Sequence, residues 1–357
     1  MRQYRFKKSK VYRTRRTVTM LILVTVLLLA GIYVYNNKLG TGKISENTQT
    51  PSNTATSSPD TTIEPSAEPT ATPTPTPTPE PPKGTLTEDH GFLPAIGSVE
   101  KSGKMDQLKA KVEEFISKQD GKYGVHFIDL ATGESFGIND RDSYIAASTT
   151  KLPMNLLLYT RIEAGEIDWD DKLQYLKEDF EPGTGIIQNQ PFGTEYTVRE
   201  TSKLSITHSD NCGINMIIRI LGIEDICQYI LDLGGEIYYK KGHRTCPRDL
   251  ALVTQELYRL YLENPEHYGQ LIHDLENTLW NDRIAGSGLL PEHVKVAHKI
   301  GTQVRTSNDV GIIFATHPYV LAVMTENVDV GVASQKISEL SRLIYDEVEA
   351  YANKQTD

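Results

Sequence analysis

Between Pro69 and Pro82 the chain reads PTATPTPTPTPEPP. A segment of this kind has no folded state of its own. Each Pro removes a backbone donor, and Thr, Glu and Pro offer too little apolar surface to offset the entropy of ordering. The same bias runs from about Gly40 to Val99, with few large apolar residues. Repeated Pro keeps such a tract extended, so it reads as a spacer. Folding is thereby confined to the residues on its C-terminal side. The expected organisation is a basic tail over 1–16, an apolar anchor over 17–35, a disordered Pro/Thr-rich linker over 36–103 and one folded domain over 104–355.

Ahead of the spacer, Thr17–Tyr35 (TVTMLILVTVLLLAGIYVY) carries no charge over a length close to bilayer thickness. Residues 1–16 hold eight Lys or Arg and no acid. The positive-inside rule then puts the N-terminus in the cytoplasm and the folded domain outside, tethered by a single pass. A cleaved signal peptide would want a shorter apolar core and a small-x-small site, which YVYNNKLGTG does not offer. The net charge is -10, which leaves -18 for residues 17–357. An acidic body excludes nucleic acid as a partner, because phosphate binding needs basic surface. Cys212, Cys227 and Cys246 are too few and too scattered for a disulfide framework, and no C-x-x-C spacing points to a metal site. No P-loop or dinucleotide fingerprint is present, so no cofactor is expected.

Within the folded part, Lys104–Gln119 has helical apolar spacing, and Lys122–Asp140 alternates around the turn ATGE. A mostly helical middle is expected from Ser148 to about Glu263. Apolar strands are expected in Val294–Thr302, Val310–Pro318 and Tyr319–Asn327, and an amphipathic helix, Ala333–Lys354, closes the chain. Such an order suggests one antiparallel sheet assembled from both ends of the domain, with a helical region inserted between them.

The stretch AASTTKLP places Ser148 three residues before Lys151. On a helix these share a face, so the amine reaches the hydroxyl. A serine at a helix start feels the positive end of the dipole, and a lysine in a dry site releases its proton readily. Pro153 is tolerated only in the first turn, which sets Ser148 near the helix N-terminus. The spacing alone is common, and a second copy, Ser98 to Lys101, lies at the linker edge with no apolar helix behind it. Two further stretches single out the first copy. Ser209-Asp210-Asn211 opens an apolar helical run, and Lys299-Ile300-Gly301-Thr302 lies on a predicted late strand.

The ordered trio S-x-x-K, S-D-N and K-T-G marks class A β-lactamases and penicillin-binding proteins. From about Lys104 onward the chain resembles this penicillin-recognising serine hydrolase family. The likeness extends to TVRE…LSITHSDN, GSGLLPEHVKVAHKIGT and NDVGIIF. It implies an α/β (α+β) β-lactamase/transpeptidase-like fold, with a mainly antiparallel sheet, flanking helices and a cleft beside an inserted helical domain. By this resemblance Ser148 is the acylated nucleophile, Lys151 its base, and Ser209 a proton relay toward the leaving nitrogen. Asn211 would hold a substrate amide, Lys299 would line the pocket, and Gly301 with Thr302 would complete the substrate-binding edge. The backbone N–H groups of Ser148 and Thr302 would form the oxyanion hole. Two lysines converging on one serine repel, so Lys151 is expected to lose its proton near neutral pH while a charged Lys299 attracts an anionic substrate. The expected partner is a β-lactam or a peptidoglycan peptide, on a monomeric domain. The anchor and spacer suit a bacterium with a thick wall and no outer membrane.

Two departures stand out. Ile300 replaces the usual Thr or Ser, so either Thr302 or Arg305 substitutes as the carboxylate contact or affinity is lower. The family's E-x-x-L-N loop, whose Glu activates the deacylating water, is missing. Between Gly234 and Arg248 the only acid is Glu236. The expected activity is β-lactam amide hydrolysis; carboxypeptidase or transpeptidase action on D-Ala-ended peptides, a slowly deacylating sensor and a non-catalytic wall protein stay open. Glu181, in EPGTGIIQNQ, is a candidate to approach the cleft in place of the missing loop glutamate, but as a loop acid it reads first as solvated. His208, Cys212 and His298 read as structural, and Tyr238 and Tyr239 as packing or rim residues.

Overall fold

The computed structural model of the chain describes residues 83–236, 243–286 and 288–353. The basic tail, Thr17–Tyr35, most of the expected linker, Tyr238 and Tyr239 lie outside them. In chain order the elements begin with β1 (Gly84–Thr87), β2 (Gly91–Pro94), α1 (Met105–Ser117), β3 (Lys122–Asp129), β4 (Ser135–Ile138), β5 (Tyr144–Ile145) and α2 (Lys151–Glu163). The inserted region holds β6 (Lys172–Gln174), β7 (Glu195–Thr197), α3 (Val198–Thr207), α4 (Asn211–Leu221), α5 (Ile223–Asp232), β8 (Arg244–Thr245), α6 (Pro247–Glu263) and α7 (Pro265–Glu276). The chain finishes with β9 (Lys295–Gln303), β10 (Thr306–Phe314), β11 (Tyr319–Glu326) and α8 (Val330–Ala352). Among the described residues no helix is long and apolar enough to cross a membrane.

Five strands pair antiparallel in the order β4-β3-β11-β10-β9, so the two ends of the domain share one sheet, as the sequence pattern implies. Nearly every residue of β3, β10 and β11 is buried, because helices cover both faces. Val125 and Phe127 meet Val112 of α1 and Ile337 and Ile344 of α8. Ile128, Val310 and Ile312 belong instead to a core with Leu152 of α2, Leu257 of α6 and Leu271 of α7. The swap of faces between Phe127 and Ile128 is the two-residue period of a strand. A third cluster, with Leu158, Met216, Ile217 and Ile226, is the core of the inserted helical region.

Two expectations change. The stretch read as linker to residue 103 is ordered from residue 83, where β1 and β2 form a hairpin. Leu93 is buried, Thr85 Oγ1 donates to Leu262 O, and His90 bridges Tyr261 and Glu276, so the hairpin docks on α6 and α7. The helical middle is interrupted between Ala164 and Thr197, where β6 and β7 form a small hairpin. Pro182, Gly183, Gly185, Pro191 and Gly193 in that stretch break helical hydrogen bonding.

Candidate active site

Ser148 sits in a 3₁₀ turn, Ala147–Thr150, that runs directly into α2. Lys151 opens α2 and Pro153 follows in its first turn, where a missing N–H leaves no helical acceptor unpaired. Ala147 holds φ at 49°, a left-handed conformation that L residues keep only when their surroundings enforce it. Here Ala146 N donates to His243 O at 2.9 Å, and Asn308 Nδ2 reaches Ile145 O at 2.8 Å. Gly301 on β9 lies opposite Asn308 in the register and abuts the same turn. A Cβ at Gly301 would come within 2.8 Å of Ala146 O and 3.0 Å of Ser148 N. Only glycine lets the edge strand lie flush against the backbone of Ser148.

Lys151 is the hub. Its Nζ lies 3.3 Å from Ser148 Oγ, 3.2 Å from Ser209 Oγ, 2.5 Å from Ser209 O and 2.7 Å from Asn211 Oδ1. The side chain is only 4% exposed, and burial pushes its pKa down to about 8, against the pull of Asp210 and Glu181. Behind it, Asn155 Nδ2 donates to Lys151 O and to Ser205 Oγ, which ties α2 to α3. Lys299 is fully enclosed; its Nζ reaches Ser209 Oγ at 3.2 Å and Ile300 O at 3.2 Å. Its pKa is also pushed well down, first by burial and second by the charge of Lys151. The expected mutual repulsion is therefore secondary to desolvation. Burial thus disfavours the charged form of both lysines.

Ser209 also adopts a left-handed φ, 50°, in the corner between α3 and α4. Thr197 and Glu200 start α3 with reciprocal capping bonds of 3.0 and 2.7 Å, and Asp210 caps α4 by accepting from Gly213 N. The other oxygen of Asp210 accepts from Ile186 N at 2.6 Å and Ile187 N at 2.9 Å. Thr184 Oγ1 donates to Ser209 O at 2.6 Å, and Asn211 N donates to Thr184 O at 3.1 Å. The middle residue of Ser209-Asp210-Asn211 thus clasps the Glu181–Ile187 segment, while its neighbours face Lys151.

These groups open into a cavity of about 580 Å³ lined by Ser148, Lys151, Ser209, Asn211, Ile300 and Thr302 among others. Glu181, Asn215, His243, Trp280 and Arg283 also line it. Lys299 and Gly301 lie beneath this surface rather than on it. Arg305 does not reach the cavity: it stands in the β9–β10 turn, and its guanidinium donates to Asn327 O at 3.0 Å. That corrects its expected role as a substrate contact, because a tight hairpin with a left-handed φ at Arg305 turns the side chain toward β11. The guanidinium near the cavity is that of Arg283, which donates to Gly301 O, Asn308 O and Thr302 Oγ1, the last at 2.6 Å. Nothing local in WNDRIAG distinguishes Arg283; its place follows from packing under β9. Asn215 was legible in principle, one helical turn after Asn211.

The loop after α5 supplies no cavity acid among the described residues. Glu236 pairs with Arg141 and lies 3.6 Å from Arg248, and its backbone N donates to Asp249. His243 does border the cavity, with Nε2 3.2 Å from Thr150 Oγ1 and its pKa lowered by burial. Glu181 is exposed, as expected of a loop acid, yet it faces the cavity. His208 turns to Thr207 Oγ1, Cys212 is buried beside Tyr175, and His298 bridges Asp309 and Asn281 on the strand face opposite Lys299. Among the described residues no group of three or more His, Cys, Asp or Glu side chains could hold a metal ion.

A family profile described as the β-lactamase enzyme family matches residues 107–348. β-Lactamase VEB-1 of Pseudomonas aeruginosa is 23% identical over 239 residues, 60% of this chain and 80% of its own. A β-lactamase of Bacillus licheniformis is 26% identical over 246 residues, 63% of this chain and 77% of its own. Among solved structures, PBP-A superposes with a TM-score of 0.63 at 25% identity, covering 68% of this chain and 96% of PBP-A. A single-residue variant of PBP-A, in an acyl-enzyme complex with penicillin G, superposes equally well, at 0.63. An ancestral class A β-lactamase matches at 0.60 with 24% identity over 68% of this chain and 100% of its own, a likeness of fold.

Proposed function

The chain belongs to the β-lactamase enzyme family, and from that membership we propose that it opens β-lactams through an acyl-enzyme on Ser148. The observation that carries this reading is the position of Lys151 Nζ, within reach of both Ser148 Oγ and Ser209 Oγ. With a pKa of about 8, roughly a tenth of Lys151 is neutral at pH 7, enough to serve as a general base. Ser148 Oγ attacks the lactam carbonyl as its proton passes to Lys151, and a C–O bond forms. The carbonyl oxygen, now negative, sits between the N–H groups of Ser148 and Thr302. As the intermediate collapses the C–N bond breaks, and the proton travels through Ser209 Oγ to the leaving nitrogen. Asn211 holds the acyl-side amide. Thr17–Tyr35 tethers this domain to the outer face of a membrane through the Pro/Thr-rich segment that follows it, a point that fractionation of cells expressing the full chain would check.

Intact-mass analysis of the full-length chain mixed with benzylpenicillin tests the site. One acyl increment is expected, localised by peptide mapping to Ser148 and absent from Ser148→Ala. An increment that survives Ser148→Ala would overturn the assignment.

A further inference from the structure

An acyl-enzyme is an ester, and its hydrolysis needs a base that can reach a water beside Ser148. The loop after α5 provides none among the described residues, since Glu236 is paired with Arg141 outside the cavity. Asp210 is buried and saturated by three backbone N–H groups. Among the described residues Glu181 is the one acid that lines the cavity.

Its position is enforced from both sides. Upstream, Asp179 is held by Arg219 Nε at 3.0 Å and Nη2 at 3.1 Å. Downstream, Gly183 and Gly185 take φ values of 138° and 104°, and a Cβ on either would strike Asn211 Nδ2 or Asp210 at 2.9 Å and 2.2 Å. The Glu181 carboxylate is oriented by Asn215 Nδ2, which donates to Oε2 at 3.2 Å while also donating to Asp179 O. Its field reaches the chemistry, because its negative charge favours the protonated forms of both Lys151 and His243. It is also open to solvent, so a water can lie on it. The imidazole of His243, by contrast, is engaged with the Ala147–Thr150 turn.

We propose that Glu181 is the general base of deacylation, replacing from the α4 side the carboxylate that the loop after α5 lacks. Glu181 takes a proton from the water it holds, and the water oxygen bonds to the acyl carbon. The ester C–Oγ bond to Ser148 then breaks. The proton returns to Ser148 Oγ through Lys151 Nζ, and the product leaves as a carboxylic acid. This inference rests on the acylation reading above and deepens it from binding to turnover.

The test tracks the decay of the acyl increment on the full-length chain after benzylpenicillin is removed. Glu181→Gln keeps the shape and the bond from Asn215 but cannot accept the proton. It should take up one acyl group and hold it at least about 100-fold longer than the wild type, with Glu181→Asp in between. Equal decay in wild type and Glu181→Gln would overturn the proposal, as would a wild-type adduct that persists unchanged. Absence of any adduct on both the wild type and Glu181→Gln would instead remove the acylation reading, and this base with it.

Discussion

Replacing Lys151 by Met should abolish acylation and yet stabilise the fold at neutral pH. Burial takes the Lys151 amine from its ordinary 10.5 down to about 8. One pK unit corresponds to about 1.4 kcal/mol, so holding this ammonium inside costs the fold about 3 kcal/mol relative to the unfolded chain. Because the folded value is the lower one, the unfolded chain binds more protons between about pH 8 and 10.5. The cost is fully present below pH 8 and has vanished above 10.5. Methionine fills a similar volume without the charge. Part of the gain is offset, since Ser209 O and Asn211 Oδ1 lose a donor; Thr184 Oγ1 still serves Ser209 O at 2.6 Å, which limits that loss to about 1 kcal/mol. The net expectation is about 2 kcal/mol in favour of Lys151→Met at pH 7, falling to zero or reversing by pH 10.5. Relief of Lys299, which the Lys151 charge also depresses, acts in the same direction. Urea unfolding of both proteins at pH 7 and pH 10 measures the difference. A difference that does not change with pH, or that grows as pH rises, would refute the reasoning, as would an acyl increment on the variant.

Two more outcomes concern the edge strand. Gly301→Val should lower stability by about 1–3 kcal/mol, because its Cβ meets Ala146 O at 2.8 Å, and should slow acylation about 100-fold as the N–H groups of Ser148 and Thr302 are forced apart. Thermal melts and the rate of increment formation read the two effects. Ile300→Thr puts a hydroxyl into the cavity wall beside Lys299, and should raise acylation efficiency at low penicillin concentration about tenfold; an unchanged value would mean that the carboxylate is held elsewhere.

Much of the site was legible along the chain because its parts are local. Ser148 and Lys151 belong to one turn of helix, with Pro153 marking where that helix can begin. Ser209-Asp210-Asn211 is a helix cap with its flanking residues, and Lys299 and His298 project to opposite faces of one strand. The sheet, too, could be read from its end strands, since strand periodicity is a property of neighbouring residues. The features that sequence reasoning misplaced depend on contacts between distant segments. The β1–β2 hairpin looked like linker because its own apolar content is slight; it is held by Tyr261, Leu262 and Glu276, which lie far along the chain. Arg305 turns away from the cavity while Arg283, which the sequence did not single out, lies near Thr302, because hairpin geometry and packing under β9, not residue type, decide which guanidinium sits there.

Residue order alone determined that strands from both ends of the described residues close one sheet, and that Ser148-x-x-Lys151, Ser209-Asp210-Asn211 and Lys299-Ile300-Gly301 follow one another in the chain. Those are consequences of short-range sterics, periodicity and capping. The tertiary structure decided the electrostatics and the water side of the site. Burial lowers the proton affinity of both lysines, and that burial exists only once α2, α4 and β9 have closed around Lys151 and Lys299. The same closure presses Gly183 and Gly185 against Asn211 and Asp210, and so turns Glu181, an ordinary loop acid by sequence, toward the cavity that Ser148 lines.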